Sequence, residues 1–335
     1  MTERITVRDI AAESGLSIAT VSRVINAQGQ VSESARHRVA EAIGRLGGTA
    51  PVPRPRLPKP ELPVLVRCPY RLSDYFGGLV TAVAETLALS GRQVLLDVGD
   101  SRLPAPVLRE LPAERTVAGA VLILPPEPVE DLAFLQQRRF PVVIVDPRKP
   151  VPRGMVSIAA AHTAGARAIT GHLIGLGHRR IGVVSGPADW LTGADRMAGH
   201  LAALSEAGLL GSPDLVRYGE PAIFTGVAAG GELLDLPERP TAIVCFNDKV
   251  AVGVFQAAAE RGLRVPRDLA VTGFDDSEMS LATAPMLTTV RQPLPEMGRI
   301  AVTMLTRLIE GQALDALHIE LATELVVRGS TGEAP

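Results

Sequence analysis

The chain has 335 residues, long enough for two or three domains, and its 46% hydrophobic content fills their cores. Its formal charge is -2, but the first 60 residues carry nine basic side chains (eight Arg and Lys59) against five acidic ones, and the other 275 carry 25 against 31, so a small basic module is joined to an acidic body. Two distant cysteines, Cys68 and Cys245, exclude a disulfide framework and fit a reducing cytoplasm as two buried thiols, and 3% aromatic content argues against base-stacking recognition of RNA or single strands.

Met1 to Asp9 mixes charge into every turn, so no secretory signal is expected there. Thr6 is placed to cap a first helix, with Asp9 three residues on completing a capping box and Ile10 and Ala11 facing inward. Gly15 ends that helix. Ser17 sits at the next N-cap position, and Val21 and Val24 supply the buried face of a second helix running to about Asn26. A third helix starts at Ser32, with Ala35, Val39, Ile43 and Leu46 inward and Gly47-Gly48 as its stop. The spacing of Ala11, Gly15, Val21 and Val24 is that of a helix-turn-helix, where the crossing leaves room only for a small residue and the turn needs one that tolerates positive φ. A plain helical hairpin meets the same pattern.

Six prolines between Pro51 and Pro63, interleaved with Arg54, Arg56 and Lys59, mark a linker over 49–61, since each interior proline costs a helix about 3 kcal/mol. Polyproline II geometry makes it a semi-rigid spacer. Beyond it, apolar runs at Pro63–Val66, Gln93–Val98, Gly119–Leu124, Pro141–Val145, Arg180–Val184, Thr241–Phe246 and Leu269–Gly273 read as strands. They alternate with helical patterns at Phe76–Ser90, Thr163–Leu176, Arg196–Ala207, Lys249–Arg261 and Glu296–Glu310, so the fold class is α/β with doubly wound parallel sheets. The longest apolar run, Val117–Leu124, is too short to span a bilayer, and no membrane contact is expected.

Asp146, Asn247-Asp248 and Asp275-Asp276 each follow directly on a strand, where open α/β sheets bind ligands. Asp and Asn are also favoured there as turn and cap residues; their convergence at three strand ends points instead to a site. Enzyme chemistry finds no support: there is no Gly-Lys-Ser/Thr phosphate loop, Gly182-Val-Val-Ser-Gly186 lacks the nucleophile-elbow spacing, and six scattered histidines offer no metal set. No cofactor is expected.

The segment Thr6-Val-Arg-Asp-Ile-Ala-Ala-Glu-Ser-Gly-Leu-Ser-Ile-Ala-Thr-Val-Ser-Arg-Val-Ile-Asn26, continued by Val31-Ser-Glu-Ser-Ala-Arg and Arg38-Val-Ala-Glu-Ala-Ile, resembles the DNA-binding headpiece of the LacI/GalR family of bacterial transcription regulators. The resemblance extends along the body through Arg138–Asp146, Gly171–Ile181, Pro240–Asp248, Val271–Asp276, Leu287–Pro293 and Glu324–Thr331. It implies an all-α helix-turn-helix headpiece at 1–48, the Pro-rich linker, and at 62–335 a two-lobed effector and dimerisation domain like a type I periplasmic binding protein. The resemblance makes Ile18, Ala19 and Arg23 the base-reading positions; of these Arg23 alone is able to contact guanine bidentately. Thr6, Ser17, Thr20, Ser22 and Asn26 are then phosphate or capping groups, and Arg54 and Arg56 phosphate contacts on the linker. The family's hinge helix conflicts with the prolines, and Leu57 is the one apolar candidate for its minor-groove wedge. The family's ligand positions fall on Asp146, Arg196, Asn247, Asp275 and Gln292, with Tyr75 and Phe76 in the first cleft loop. Where many members carry Asp-Asn, this chain has Ala161-His162, implying one lost polar position; Ser73-Asp74 replaces a common Asn-Pro. The implied function is a cytoplasmic, homodimeric, sequence-specific regulator, most simply a repressor, of two-fold symmetric double-stranded operator DNA, controlled by a small polar effector such as a sugar. The alternatives are a ligand-independent DNA-binding regulator and a cytoplasmic sugar-binding protein with a vestigial headpiece.

Overall fold

The computed structural model describes residues 5–25, 31–47, 62–99 and 107–335, in two units, 1–61 and 62–335. Asn26, the whole linker and with it Arg54, Arg56 and Leu57 lie outside the described residues.

The first unit consists of α1 (Val7–Ser14), α2 (Ile18–Ile25) and α3 (Glu33–Leu46). The local signals act as expected: Thr6 Oγ1 accepts from Asp9 N at 3.3 Å, the Asp9 carboxylate takes the Thr6 N–H at 2.8 Å, and Gly15 closes α1 at φ 66°. Ser17 Oγ accepts from Thr20 N at 3.1 Å at the start of α2, and Ser32 caps α3. Ile5, Ile10, Ala11, Val21, Val39 and Ala42 form the core. Ala42 takes the inward position expected of Leu46, which is 38% exposed: from Ala35 and Val39 the helical period continues to 42. Arg38 ties α3 to the end of α1 by donating to Ser14 O at 2.6 Å.

The second unit opens with β1 (Val64–Cys68), α4 (Asp74–Leu89), β2 (Val94–Val98), α5 (Val107–Glu114), β3 (Gly119–Ile123), α6 (Val129–Gln137), β4 (Val142–Val145) and β5 (Val156–Ala160). It continues through α7 (His162–Gly175), β6 (Ile181–Ser185), α8 (Leu191–Glu206), β7 (Val216–Tyr218), α9 (Ile223–Leu234), β8 (Ala242–Cys245), α10 (Asp248–Glu260), β9 (Ala270–Thr272), α11 (Glu278–Ala282) and β10 (Thr289–Arg291), and ends with α12 (Leu294–Ile309), β11 (His318–Leu321) and β12 (Glu324–Val326). One lobe is a six-stranded parallel sheet of order β11-β5-β4-β3-β1-β2, the other a four-stranded parallel sheet β7-β6-β8-β9. The chain crosses between them after β5, after β10 and after β11, and β10 pairs antiparallel with β12 at the crossing. The sheet order reverses between β1 and β3 in one lobe and between β6 and β8 in the other, which opens a crevice at the carboxyl ends of those strands.

All seven expected strands are present. β5, β7 and the short β10, β11 and β12 were not anticipated; Ser157 with Ala159-Ala160 dilutes β5, and Arg217 interrupts β7. Among the unanticipated helices, α9 carries Gly226, Gly230 and Gly231, which read as breakers in sequence. Packing explains them: a Cβ on Gly226 would overlap Val250 O, and one on Gly253 would overlap Ile223 O, so α9 and α10 cross with backbones in contact. Cys68 and Cys245 are buried core thiols, and burial pushes the Cys68 thiol up to about 11.

Between α7 and α8, His200 is 3% exposed, with Nδ1 3.0 Å from Thr170 Oγ1. Burial lowers its pKa from 6.5 to about 4. The folded state therefore binds this proton less readily than the unfolded chain, so its contribution is intact above pH 6.5 and is lost as pH falls toward 4. Urea unfolding at pH 7 and pH 4 is expected to show a loss of about 3 kcal/mol in the native protein beyond that of His200→Gln; equal losses in both proteins would refute it.

Candidate functional site

Two features gather the expected functional residues, one in each unit. In the first unit, the amino-terminal turns of α2 face solvent: Ser17, Ile18, Ala19 and Arg23 are exposed, Thr20 and Ser22 half-buried. Ile18 is 53% exposed, unusual for an isoleucine, while Val21, one turn further on, is fully buried. Thr6 and Ser17 are engaged as helix caps, and Thr20 Oγ1 lies 2.8 Å from Ser17 Oγ.

In the second unit, a cavity of about 570 Å³, counting its open mouth, lies between the lobes. It is lined by Tyr75, Phe76, Leu124 and Asp146 from the first lobe and Trp190, Arg196, Phe246, Asn247 and Asp275 from the second, with Gln292 at the crossing. All seven expected cleft residues are therefore brought together. Each comes from the segment just beyond a strand: β1 for Tyr75 and Phe76, β4 for Asp146, β6 for Arg196, β8 for Asn247 and β9 for Asp275. The backbone is strained at four lining residues, Asp74, Leu124, Asp146 and Asp275, whose φ values are 47°, 45°, 45° and 111°. Non-glycine residues adopt this region rarely, and clusters of them mark functional sites.

Arg196 is the centre of the charge arrangement. Its guanidinium lies 3.6 Å from the Phe274 ring centroid and 4.6 Å from that of Phe246, donates Nη1–H to Phe246 O, and brings Nη2 to 3.8 Å from Asp275 Oδ1. Nη2 also faces His162 Nδ1 at 3.4 Å. A guanidinium has no acceptor, so Nδ1 accepts and the ring proton sits on Nε2, 3.1 Å from Asp146 Oδ1. Tyr75 donates its hydroxyl to the other oxygen of Asp146, and Ala160 N–H adds a 3.2 Å bond. Burial on its own would raise the Asp146 pKa; His162, the Tyr75 hydroxyl and Arg196 outweigh it and hold the carboxyl below its ordinary value. Asp275 is less well compensated: burial raises it to about 6 against the opposing pull of Arg196 and of Gln292, whose Nε2–H donates at 2.7 Å.

The Asn247-Asp248 and Asp275-Asp276 pairs are divided, one member of each lining the cleft and the other turned away from it. Asn247 lines the cleft but also caps α10, accepting from Val250 N at 3.0 Å. Asp248 turns away to Ser277 N and Thr289 Oγ1 at 2.7 and 2.6 Å, and Asp276 is held by Arg291 and Arg328. The cap reading therefore holds for Asn247, while the second member of each pair is taken up by structural contacts to distant segments. The position expected to have lost polarity at Ala161-His162 has not: His162 is buried at the heart of the network. Trp190, Phe246 and Lys249 also line the cavity without having been singled out; the strand-end rule that found Asp146 applies equally to Trp190 and Phe246, just beyond β6 and β8. Five residues lining the cavity carry a buried polar atom without a hydrogen-bond partner among the described residues: Asp74 Oδ2, Trp190 Nε1, Arg196 Nε, Ser277 Oγ and Gln292 Oε1.

Comparison with known proteins decides the family. Residues 6–47 match the bacterial regulatory proteins of the lacI family, and residues 170–331 match the periplasmic binding protein-like domain. The HTH-type transcriptional repressor CytR of Escherichia coli K12 is 30% identical over 333 residues, 98% of this chain and 97% of CytR. The chain belongs to the LacI family. Its relatives include the HTH-type transcriptional regulator CelR of Thermobifida fusca, 32% identical over 98% of both chains. Among solved structures, a CelR–cellobiose complex superimposes with a TM-score of 0.74 at 31% identity, over 98% of this chain and 100% of that one. The lac repressor dimer bound to operator and the anti-inducer ONPF gives 0.74 at 28% identity with the same coverage. These LacI-family relatives are transcription regulators, and among the described residues no helix is long and apolar enough to cross a membrane.

Removing Arg196 leaves Asp275 buried without its cation. Arg196→Met is expected to destabilise the protein by about 3 kcal/mol at pH 8 and by less at pH 5, where Asp275 is protonated. Urea denaturation at the two pH values measures this; a loss that does not shrink on acidification would show that Arg196 does not serve Asp275.

Proposed function

We propose that this LacI-family chain is a sequence-specific transcription regulator, a repressor in its simplest form, that binds two-fold symmetric operator DNA as a homodimer and responds to a small polar effector in the interlobe cleft. The carrying observation is the joint presence of an exposed α2 face and a cleft whose charges are internally matched. Ile18, Ala19 and Arg23 read base edges, with Arg23 supplying bidentate recognition of guanine and Ile18 and Ala19 apolar contact to thymine methyls. Thr6, Ser17, Thr20 and Ser22 position the helix on the backbone. The lac repressor–operator complex supports this reading, and a protein working on DNA in this way resides in the cytoplasm.

Asp146, Arg196, Asn247, Asp275 and Gln292 hold the effector, with Tyr75 shaping the pocket through Asp146 and Phe76 offering an apolar face. The CelR–cellobiose complex supports a sugar. Chemistry narrows this to an uncharged polyol. The two cations lining the cavity, Arg196 and Lys249, already face Asp275 and Asp74, so an incoming phosphate finds no unmatched positive charge. Hydroxyls, which donate and accept together, match the unpartnered Trp190 and Arg196 N–H groups and Gln292 Oε1. Effector binding alters the relation of the lobes and so operator affinity, with a coupling of about 1 to 3 kcal/mol.

Arg23→Ala is expected to lose about 1 to 3 kcal/mol of operator affinity and to relax one base position in each half-site. Electrophoretic binding to a library of single-base operator variants tests this, and an unchanged preference would remove Arg23 from base reading. In thermal-shift screening, neutral sugars and nucleosides are expected to contain the stabilising ligand, and its phosphorylated counterpart to give no shift. Preference for the phosphorylated form would refute the charge argument. Silence across the panel would favour a ligand-independent regulator.

A further inference from the structure

We infer that Lys249, Asp74 and Ser73 form an interlobe latch that holds the two lobes together across the cleft. Lys249 lies in the first turn of α10 in the second lobe; Ser73 and Asp74 begin α4 in the first. The Lys249 ammonium donates to Ser73 Oγ at 2.8 Å and sits 2.7 Å from Asp74 Oδ2, an ion pair outside hydrogen-bond alignment. The two charged side chains are only 25% and 18% exposed, so the pair is largely withdrawn from solvent and weakly screened by salt. All three residues line the cleft cavity.

Three features separate this contact from an ordinary surface ion pair. It joins elements whose chain connection runs through the interlobe crossings, where Ala161 N–H donates to Leu321 O at 2.8 Å, so it restrains the lobes independently of those crossings. Asp74 reaches it from a left-handed backbone conformation, φ 47°, at the first residue of α4. A residue held in that region away from glycine is sustained by its surroundings, and the ammonium is the charged partner facing this one. Finally, Lys249 is one of only three lysines in the chain; a flexible stem with a compact ammonium suits a contact that breaks and reforms, where the planar fork of Arg suits a fixed one. Opening the cleft separates the pair, and the latch thereby sets the population of open molecules.

The inference does not depend on DNA binding or on the identity of the effector, and its test uses neither. Trp190 is the only tryptophan in the chain, lines the cleft and is 6% exposed, so its fluorescence reports access to the cleft. In the full-length protein, Lys249→Met and Asp74→Asn are each expected to raise the open fraction about tenfold, read as steeper acrylamide quenching and a red-shifted emission, with a larger radius of gyration in solution scattering. The double variant opens no further than either single one, since both remove the same contact. Lys249→Arg retains the charge and stays closed. Circular dichroism confirms folding; if Lys249→Met fails it, Asp74→Asn, which tolerates the left-handed backbone, decides alone. Quenching and radius unchanged from the native protein, or Lys249→Arg opening as far as Lys249→Met, overturns the latch.

Discussion

The cleft is organised around one buried charge. A guanidinium withdrawn from water carries a desolvation penalty of several kcal/mol, and Arg196 offsets it through two aromatic faces, a backbone carbonyl and a carboxylate. Phe246 and Phe274 come from the ends of β8 and β9, and Asp275 follows Phe274 directly, so these two strand ends must converge on α8 for Arg196 to be tolerated at all. His162 then carries the influence of Arg196 across the gap: by accepting from the guanidinium on one nitrogen it is obliged to present N–H to Asp146 on the other. The charge in one lobe is thus completed by a carboxylate in the other. Compensation is uneven, with Asp146 held below its ordinary pKa and Asp275 raised to about 6, and the weaker half is the one beside Gln292, whose carbonyl oxygen is unpartnered.

The aspartates at strand ends also answer a backbone requirement. Asp74, Asp146, Asp275 and Asp276 all have positive φ, and Asp is among the few residues that accept this conformation without glycine's loss of a side chain. The same residue type therefore serves turn and site together, which is why the sequence alone cannot divide Asp275 from Asp276. Composition and spacing are identical for both; only the direction of the chain, toward Arg196 or toward Arg291 and Arg328, separates them.

Legibility follows locality. In the first unit, capping, turning and burial are decided within three or four residues, so Thr6 with Asp9, Gly15, Ser17 and Ser32 could be read directly, and the single error, Leu46 for Ala42, is one step of helical phase. In the second, strands announced by uninterrupted branched residues were legible, whereas α9 was hidden because its glycines serve a helix crossing some 25 residues away rather than a local break. His162 was misjudged as a lost polar position for the same reason. It has no local pattern and acquires meaning only from partners on other segments, Asp146 and Arg196, whereas Trp190 carries the strand-end signal and gains its packing from Tyr70 and Phe246.

The division of charge along the chain now has a structural sense on its acidic side. The cleft draws its carboxylates and cations from both lobes, and each lobe by itself is unbalanced there: Asp74 and Asp146 stand in the first, Arg196, Lys249 and Asp275 in the second. Separating the lobes exposes a net negative set of cleft groups on one and a net positive set on the other, so electrostatics favours their approach and adds to the Lys249–Asp74 contact across the cleft. A neutral polyol is compatible with that arrangement, because it can meet both sets of groups without disturbing the match between them, whereas a charged ligand would have to break a pair before making a new one.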